Sequence, residues 1–217
     1  MTPYYADDLV TIYNARCEDV LPGIDPATVD LLLTDPPYGI NLEADYTKLG
    51  GGNQSHVVHR AIEGDAETFN PAHLMGFGRT VLWGANNYPA SLPPGGWFVW
   101  QKSNPHPRAS ECELAWTNLT RRVSSFRSIR PGTGRPAWHP SEKPVALMAW
   151  IIDRWTEPGD LVLDPYMGSG PIAQACHELG RRYIGIELVE DYCKIAVGRL
   201  AQQVLDFEEL SEEAHDA

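Results

Sequence analysis

The chain has 217 residues, 43% of them hydrophobic and 21% charged, which suits one domain with a single core and room for modest insertions. Its net charge of −12 excludes a uniformly basic polyanion binder. No run approaches the roughly 18 to 20 apolar residues of a membrane span, and residues 1–8 have neither the basic start nor the apolar centre of a signal peptide, so no membrane partner and a cytoplasmic location are expected.

In chain order, short apolar runs at residues 9–13, 29–34, 80–83, 97–101, 161–163 and 182–186 predict strands. Helices are predicted at 141–155, opened by Ser141-Glu142-Lys143-Pro144, at 169–179, closed by Gly180, and from 190 to about 205. The alternation implies an α/β fold: a mostly parallel twisted sheet with helices on both faces, in one domain over residues 1–205. Residues 41–66, with Gly50-Gly51-Gly52-Asn53 and little apolar periodicity, read as a long irregular loop, and residues 103–138, rich in Pro, Arg and Ser, as a second irregular stretch. Residues 206–217 hold six acids and no Lys or Arg, and read as a frayed acidic tail.

Charge is unevenly distributed. Residues 101–143 carry eight basic and three acidic side chains, +5, so the remainder carries −17. A basic segment on an acidic body is what a polyanion-binding face looks like; Arg121, Arg122, Arg127 and Arg130 are its candidate phosphate and base contacts.

Two loops follow apolar runs and should therefore sit at carboxyl ends of strands, where open α/β sheets bind ligands. In Asp35-Pro36-Pro37-Tyr38-Gly39, two prolines stiffen the turn and lack N–H groups, which leaves a carbonyl free to accept. Asp35 and the Pro36 carbonyl could each accept one hydrogen of an amino group while Tyr38 stacks on a flat base. In Asp164-Pro165-Tyr166-Met167-Gly168-Ser169-Gly170, the glycines permit tight turning and close ligand approach. Glu187 ends the next strand, where an acidic side chain suits ribose hydroxyls. The loop lacks the Gly-x-Gly-x-x-Gly and Lys-Ser/Thr patterns, so an NAD enzyme or an ATPase fits poorly.

These two loops, with His139-Pro140-Ser141-Glu142-Lys143-Pro144 between them, resemble the ordered motifs of the amino-group DNA methyltransferases, N6-adenine or N4-cytosine, in the order of the beta class. The resemblance implies a Rossmann-like fold, S-adenosylmethionine as methyl donor without a metal, double-stranded DNA as substrate, base flipping, and direct displacement with Asp35, Pro36, Pro37 and Tyr38 as the catalytic loop. It assigns cofactor contacts to Asp164, Pro165, Tyr166, Gly168, Ser169, Gly170, Glu187, Ser141 and Lys143. Where the family usually shows Asn-Gly-Asp-Cys, this chain has Asn14-Ala15-Arg16-Cys17-Glu18, so contact with the cofactor's adenine falls to Cys17 and Glu18, with Asp19 as a substitute. Asp rather than Ser at position 35 leans toward adenine N6 by family tendency. The chain is short for the family, and a reduced target-recognition region, residues 103–138, suggests short sequence specificity, recognition shared across a homodimer, or a helper domain; a cognate restriction enzyme is a further partner of this class.

Alternatives remain open: cytosine N4, an RNA or protein-amide substrate, or a catalytically degenerate DNA-binding module. No Pro-Cys pair supports carbon-5 methylation. His56 and His59 form an isolated His-x-x-His and are not read as a metal site. The four cysteines lack a Cys-x-x-Cys pair and read as buried free thiols, while Trp83, Trp97, Trp100 and Trp116 read as core or groove wall. Trp83-Gly84-Ala85-Asn86-Asn87-Tyr88 should lie at the same sheet edge as the two loops.

Overall fold

Leu31 and Leu33 pack into one apolar cluster and Leu32 into another, because successive side chains of a strand point to opposite faces. That period, repeated across the chain, builds the sheet of the computed structural model, which describes residues 1–39, 65–105, 110–130 and 142–215, with side chains to residue 202. Its strands are β1 (Tyr5–Ala6), β2 (Val10–Asn14), β3 (Leu31–Thr34), β4 (Thr80–Trp83), β5 (Gly96–Lys102), β6 (Cys112–Thr117), β7 (Val123–Ser128), β8 (Leu161–Asp164) and β9 (Arg182–Glu187). They lie in the order β1-β2-β9-β8-β3-β4-β6-β5-β7. Pairing is parallel except for β1 on β2 and for β6 against both neighbours. The helices are α1 (Cys17–Val20), α2 (Val145–Trp155), α3 (Pro171–Glu178) and α4 (Glu190–His215).

One face of the sheet is covered by α2, α3 and α4 through Leu147, Met148, Ile151, Ile172, Cys176 and Ala196. Among the described residues, the other face is covered by short turns around Leu74, Phe77, Ala85 and Tyr88. Trp83, Trp100 and Trp116 are buried core residues and Trp97 is partly buried. No described helix is long and apolar enough to cross a membrane.

Several boundaries differ from the sequence reading. The stretch read as irregular holds two strands, β6 and β7. β6 sits between β4 and β5, and β7 closes the sheet with a mostly polar sequence that masks its period. The helix expected from residue 141 starts at Val145, because Pro144 is extended at φ −62° and ψ 134° and its ring disfavours a helical conformation at the preceding Lys143. Glu142 and Lys143 thus form a non-helical lead-in; Ser141, His139 and Pro140 lie outside the described residues, as do His56 and His59 and almost all of 41–66. α4 continues to His215, beyond the expected end near 205 and through most of the stretch read as a frayed tail. Cys17, Cys176 and Cys193 are buried thiols, but Cys112, the first residue of β6, is exposed.

Candidate active site

β3 and β8 are parallel neighbours, yet the chain leaves β3 toward β4 on one side and β8, through α3, toward β9 on the other. Such a reversal opens a crevice at the carboxyl ends of the strands. Both loops singled out from the sequence border it. They are joined by Thr34 at the end of β3, whose hydroxyl donates to Asp164 Oδ1 at 2.7 Å.

On the β3 side, Asp35 is clamped from both carboxylate oxygens. The Tyr38 hydroxyl donates to Oδ1 at 2.5 Å and Lys143 Nζ to Oδ2 at 2.6 Å. Lys143, only 2% exposed, also donates to Tyr38 Oη at 3.1 Å and pairs with Glu113 Oε2 of β6 at 3.0 Å. The other oxygen of Glu113 meets Lys102 Nζ of β5 at 2.7 Å. Burial pushes the Asp35 carboxyl up; Lys143 opposes that rise and Glu113 adds to it. Burial alone would lower Lys143, but Asp35 and Glu113 carry it above the ordinary lysine value, so it stays an ammonium. Burial and the nearby carboxylates hold the Tyr38 phenol well above its usual range, which keeps it a donor.

The Tyr38 ring lies on Gly84, directly after β4. A Cβ at position 84 would come within 1.9 Å of Tyr38 Cε1, and the residue has a left-handed φ of +67°. The loop backbone is fixed by Asp65, whose Oδ1 accepts from the N–H groups of Tyr38 at 2.9 Å and Gly39 at 2.7 Å.

On the β8 side, Asp164 is wholly buried and accepts from Thr34, from Tyr183 Oη of β9 at 3.1 Å and from the Tyr166 N–H at 3.2 Å. Burial pushes its carboxyl up to about 7. Asp164 therefore organises the loop from beneath. Gly170 caps α3 with φ +77°, and a Cβ there would meet the Ala196 Cβ of α4 at 2.7 Å. Glu187 accepts from the N–H groups of Gly168 at 2.9 Å and Val189 at 2.7 Å. An acceptor-only carboxylate fixed beside a glycine loop suits the hydroxyl donors of a ribose. Nearby, Tyr166 Oη accepts from Cys17 Sγ at 3.3 Å and contacts His73 Nε2 at 3.1 Å, with the Phe69 ring edge-on at 5.6 Å. Together these residues form an aromatic wall next to α1, which carries Glu18. Arg16, at the position usually acidic, is exposed and pairs loosely with Glu18 at 3.7 Å. A nucleoside with flat base, ribose and charged end therefore fits this half of the crevice. Arg199 of α4 ties the halves together, donating to Glu142, to Ser169 and to Gln174.

The four arginines do not share one place. Arg121 and Arg122 precede β7, where Arg121 Nη1 donates to the Pro94 carbonyl at 2.5 Å. Arg122 lines a cavity of about 440 Å³ with Phe98, Trp150 and Arg154, away from the crevice. Arg127 and Arg130 lie at the other end of β7, beside Gln101 and Asn104. Arg122 and Arg127 are five positions apart, about 17 Å along a strand. Lys102 and Lys143, counted in the basic segment, spend their charge on Glu113 and Asp35. Sequence reasoning missed Glu113, Asp65, Phe69, His73 and Arg199, whose partners are remote in the chain. Among the described residues no cluster of His, Cys, Asp and Glu has metal-ligand geometry.

A family model described as DNA methylase, of the N6/N4 type, matches residues 79–198. The chain is 49% identical over 208 residues to YubD of Escherichia coli (strain K12), named as a candidate methylase, covering 85% of this chain and 87% of that protein. It is 26% identical over 248 residues to the type II methyltransferase M2.DpnII of Streptococcus pneumoniae, covering 91% and 92%. Among solved structures, the M1.HpyAVI–SAM complex is 26% identical with a TM-score of 0.53, over 88% of this chain and 100% of that one. The cytosine-N4-specific PvuII DNA methyltransferase shares the fold at 14% identity with a TM-score of 0.63, over 91% and 88%.

Proposed function

Because the chain belongs to the N6/N4 family of DNA methylases, we propose that it methylates the exocyclic N6 of adenine in double-stranded DNA, with Asp35 as the acceptor that activates the amino group. The methyl donor of the family is S-adenosylmethionine, which when bound supplies an electrophilic methyl group. The observation that carries the reading is the partly buried Asp35 carboxylate, fixed by Lys143 and Tyr38 at the switch point beside the glycine loop.

A carboxylate offers about four acceptor positions, so the contacts from Tyr38 and Lys143 leave Asp35 able to take an amino hydrogen. The Pro36 carbonyl takes the second, which directs the nitrogen lone pair away from the ring, and Tyr38 stacks on the base flipped out of the duplex. Positioning and electrostatics supply the rate enhancement, without a covalent enzyme intermediate. On the other side, Glu187 holds the ribose, Tyr166 with Cys17 and Glu18 lines the nucleobase, and the Gly168-Ser169-Gly170 backbone approaches the amino-acid end. Aspartate at position 35 favours adenine; cytosine N4 presents the same amino chemistry and is the second reading.

Asp35→Ala is expected to reduce methyl transfer by at least about a thousandfold and to leave cofactor affinity, read by calorimetry, within about twofold. Lost cofactor binding, or retained transfer, would remove Asp35 from the target side.

A further inference from the structure

We propose that Glu113 is a positioning residue of this site: from β6 it holds the Lys143 ammonium and thereby sets the orientation and acceptor strength of Asp35. The inference rests on the reading of Asp35 as the acceptor of the amino hydrogen. Lys143 Nζ is shared between Asp35 Oδ2 at 2.6 Å and Glu113 Oε2 at 3.0 Å. Glu113 is in turn held by Lys102, whose side chain is 7% exposed. The row Asp35, Lys143, Glu113, Lys102 alternates in sign and sums to zero. It spans the loop after β3, the lead-in to α2, and the paired strands β5 and β6, so the charge on Glu113 is fixed by the sheet rather than by a surface rotamer.

Without the Glu113 charge, the ammonium of Lys143 would be drawn onto Asp35 alone. A carboxylate fully committed to an ammonium is a poorer acceptor for a substrate N–H. The charged and titratable groups facing Asp35 are Lys143, Glu113, Tyr38, Asp164 and Tyr88, and among them Glu113 raises its carboxyl. Burial tends to raise Glu113 itself, but Lys143 and Lys102 hold it below the ordinary glutamate value, so it is ionised at neutral pH. Removing its charge lowers the pKa of Asp35. The acid limb of turnover, set by ionisation of Asp35, then moves to lower pH while the plateau falls.

The test is methyl transfer from labelled S-adenosylmethionine to unmethylated double-stranded DNA, measured against pH for wild type, Glu113→Gln, Glu113→Asp and Asp35→Ala. Glu113→Gln should lower kcat roughly tenfold, leave the KM for the cofactor within about twofold, and shift the acid limb downward; Glu113→Asp should keep the limb in place. A merely structural role would not move that limb. If Glu113→Gln fails to bind cofactor, Lys102→Gln/Glu113→Gln, which removes Lys102 together with its Glu113 partner and keeps the Lys143–Asp35 pair, is judged by the same kcat and pH readouts. Wild-type kcat and limb in the glutamine variant, with Asp35→Ala inactive, overturns the role of Glu113 alone. An active Asp35→Ala overturns the reading beneath it.

Discussion

Tyr38 can lie flat at the sheet edge only because position 84 has no side chain. The two residues are 46 positions apart, and the backbone of Gly84 has the left-handed φ that glycine tolerates. Gly84→Ala adds a methyl into the Tyr38 ring and strains the turn, so the ring must leave its place. Expected outcomes are a roughly hundredfold loss of kcat/KM for DNA, cofactor affinity within about threefold, and a thermal midpoint lower by a few degrees. An unchanged kcat/KM would show that the Tyr38 position is unimportant. The Asp35-Pro36-Pro37-Tyr38 loop stood out in the sequence as the candidate for catalysis, since the chemistry proposed for it is written in consecutive residues. Glu113 and Asp65 were not, because each acts only through a partner brought close by folding.

At the scale of elements, the central parallel strands β3, β4 and β8 were legible because their apolar runs are short, bounded and buried on both faces. β6 and β7 were not: the polar Val123–Ser128 strand shows no hydrophobic contrast, and pairing with β5 decides its state. The start of α2 was misread because Ser-Glu-Lys-Pro resembles a cap, whereas Lys143 precedes the helix and its ammonium meets Asp35. The lead-in is anchored by α4. Arg199 holds the buried Glu142 at 3.1 Å and the Ser169 carbonyl at 3.2 Å, linking the Lys143 segment to the glycine loop. Arg199→Met removes that tie and breaks a buried ion pair, at a cost of about 3 kcal/mol. The thermal midpoint should fall by roughly 10 °C and the KM for cofactor should rise, with the acid limb of turnover unmoved. A variant with wild-type midpoint and KM would show that α4 does not hold the two motifs together.

At the scale of the whole molecule, the acidic body and the basic segment resolve into two kinds of charge. Lys102 and Lys143 are neutralised within the site, while Arg127 lies opposite Gln101 near the carboxyl end of β5 and Arg130 just beyond the end of β7, on the side of the sheet edge where Asp35 sits. If DNA runs along that edge, Arg127→Ala/Arg130→Ala should reduce the slope of log affinity against log salt by about 1.8, two phosphate contacts, while Arg121→Ala/Arg122→Ala leaves it unchanged. Equal effects from both pairs would mean that the path of the DNA is broader. The central claim is amino-group transfer to adenine, and one measurement tests it most directly: incubation with methyl-labelled S-adenosylmethionine and unmethylated double-stranded DNA, followed by nucleoside analysis. The account predicts label in N6-methyladenine. Label in N4-methylcytosine would contradict the choice of base, and bound cofactor with no label in DNA would contradict the claim itself.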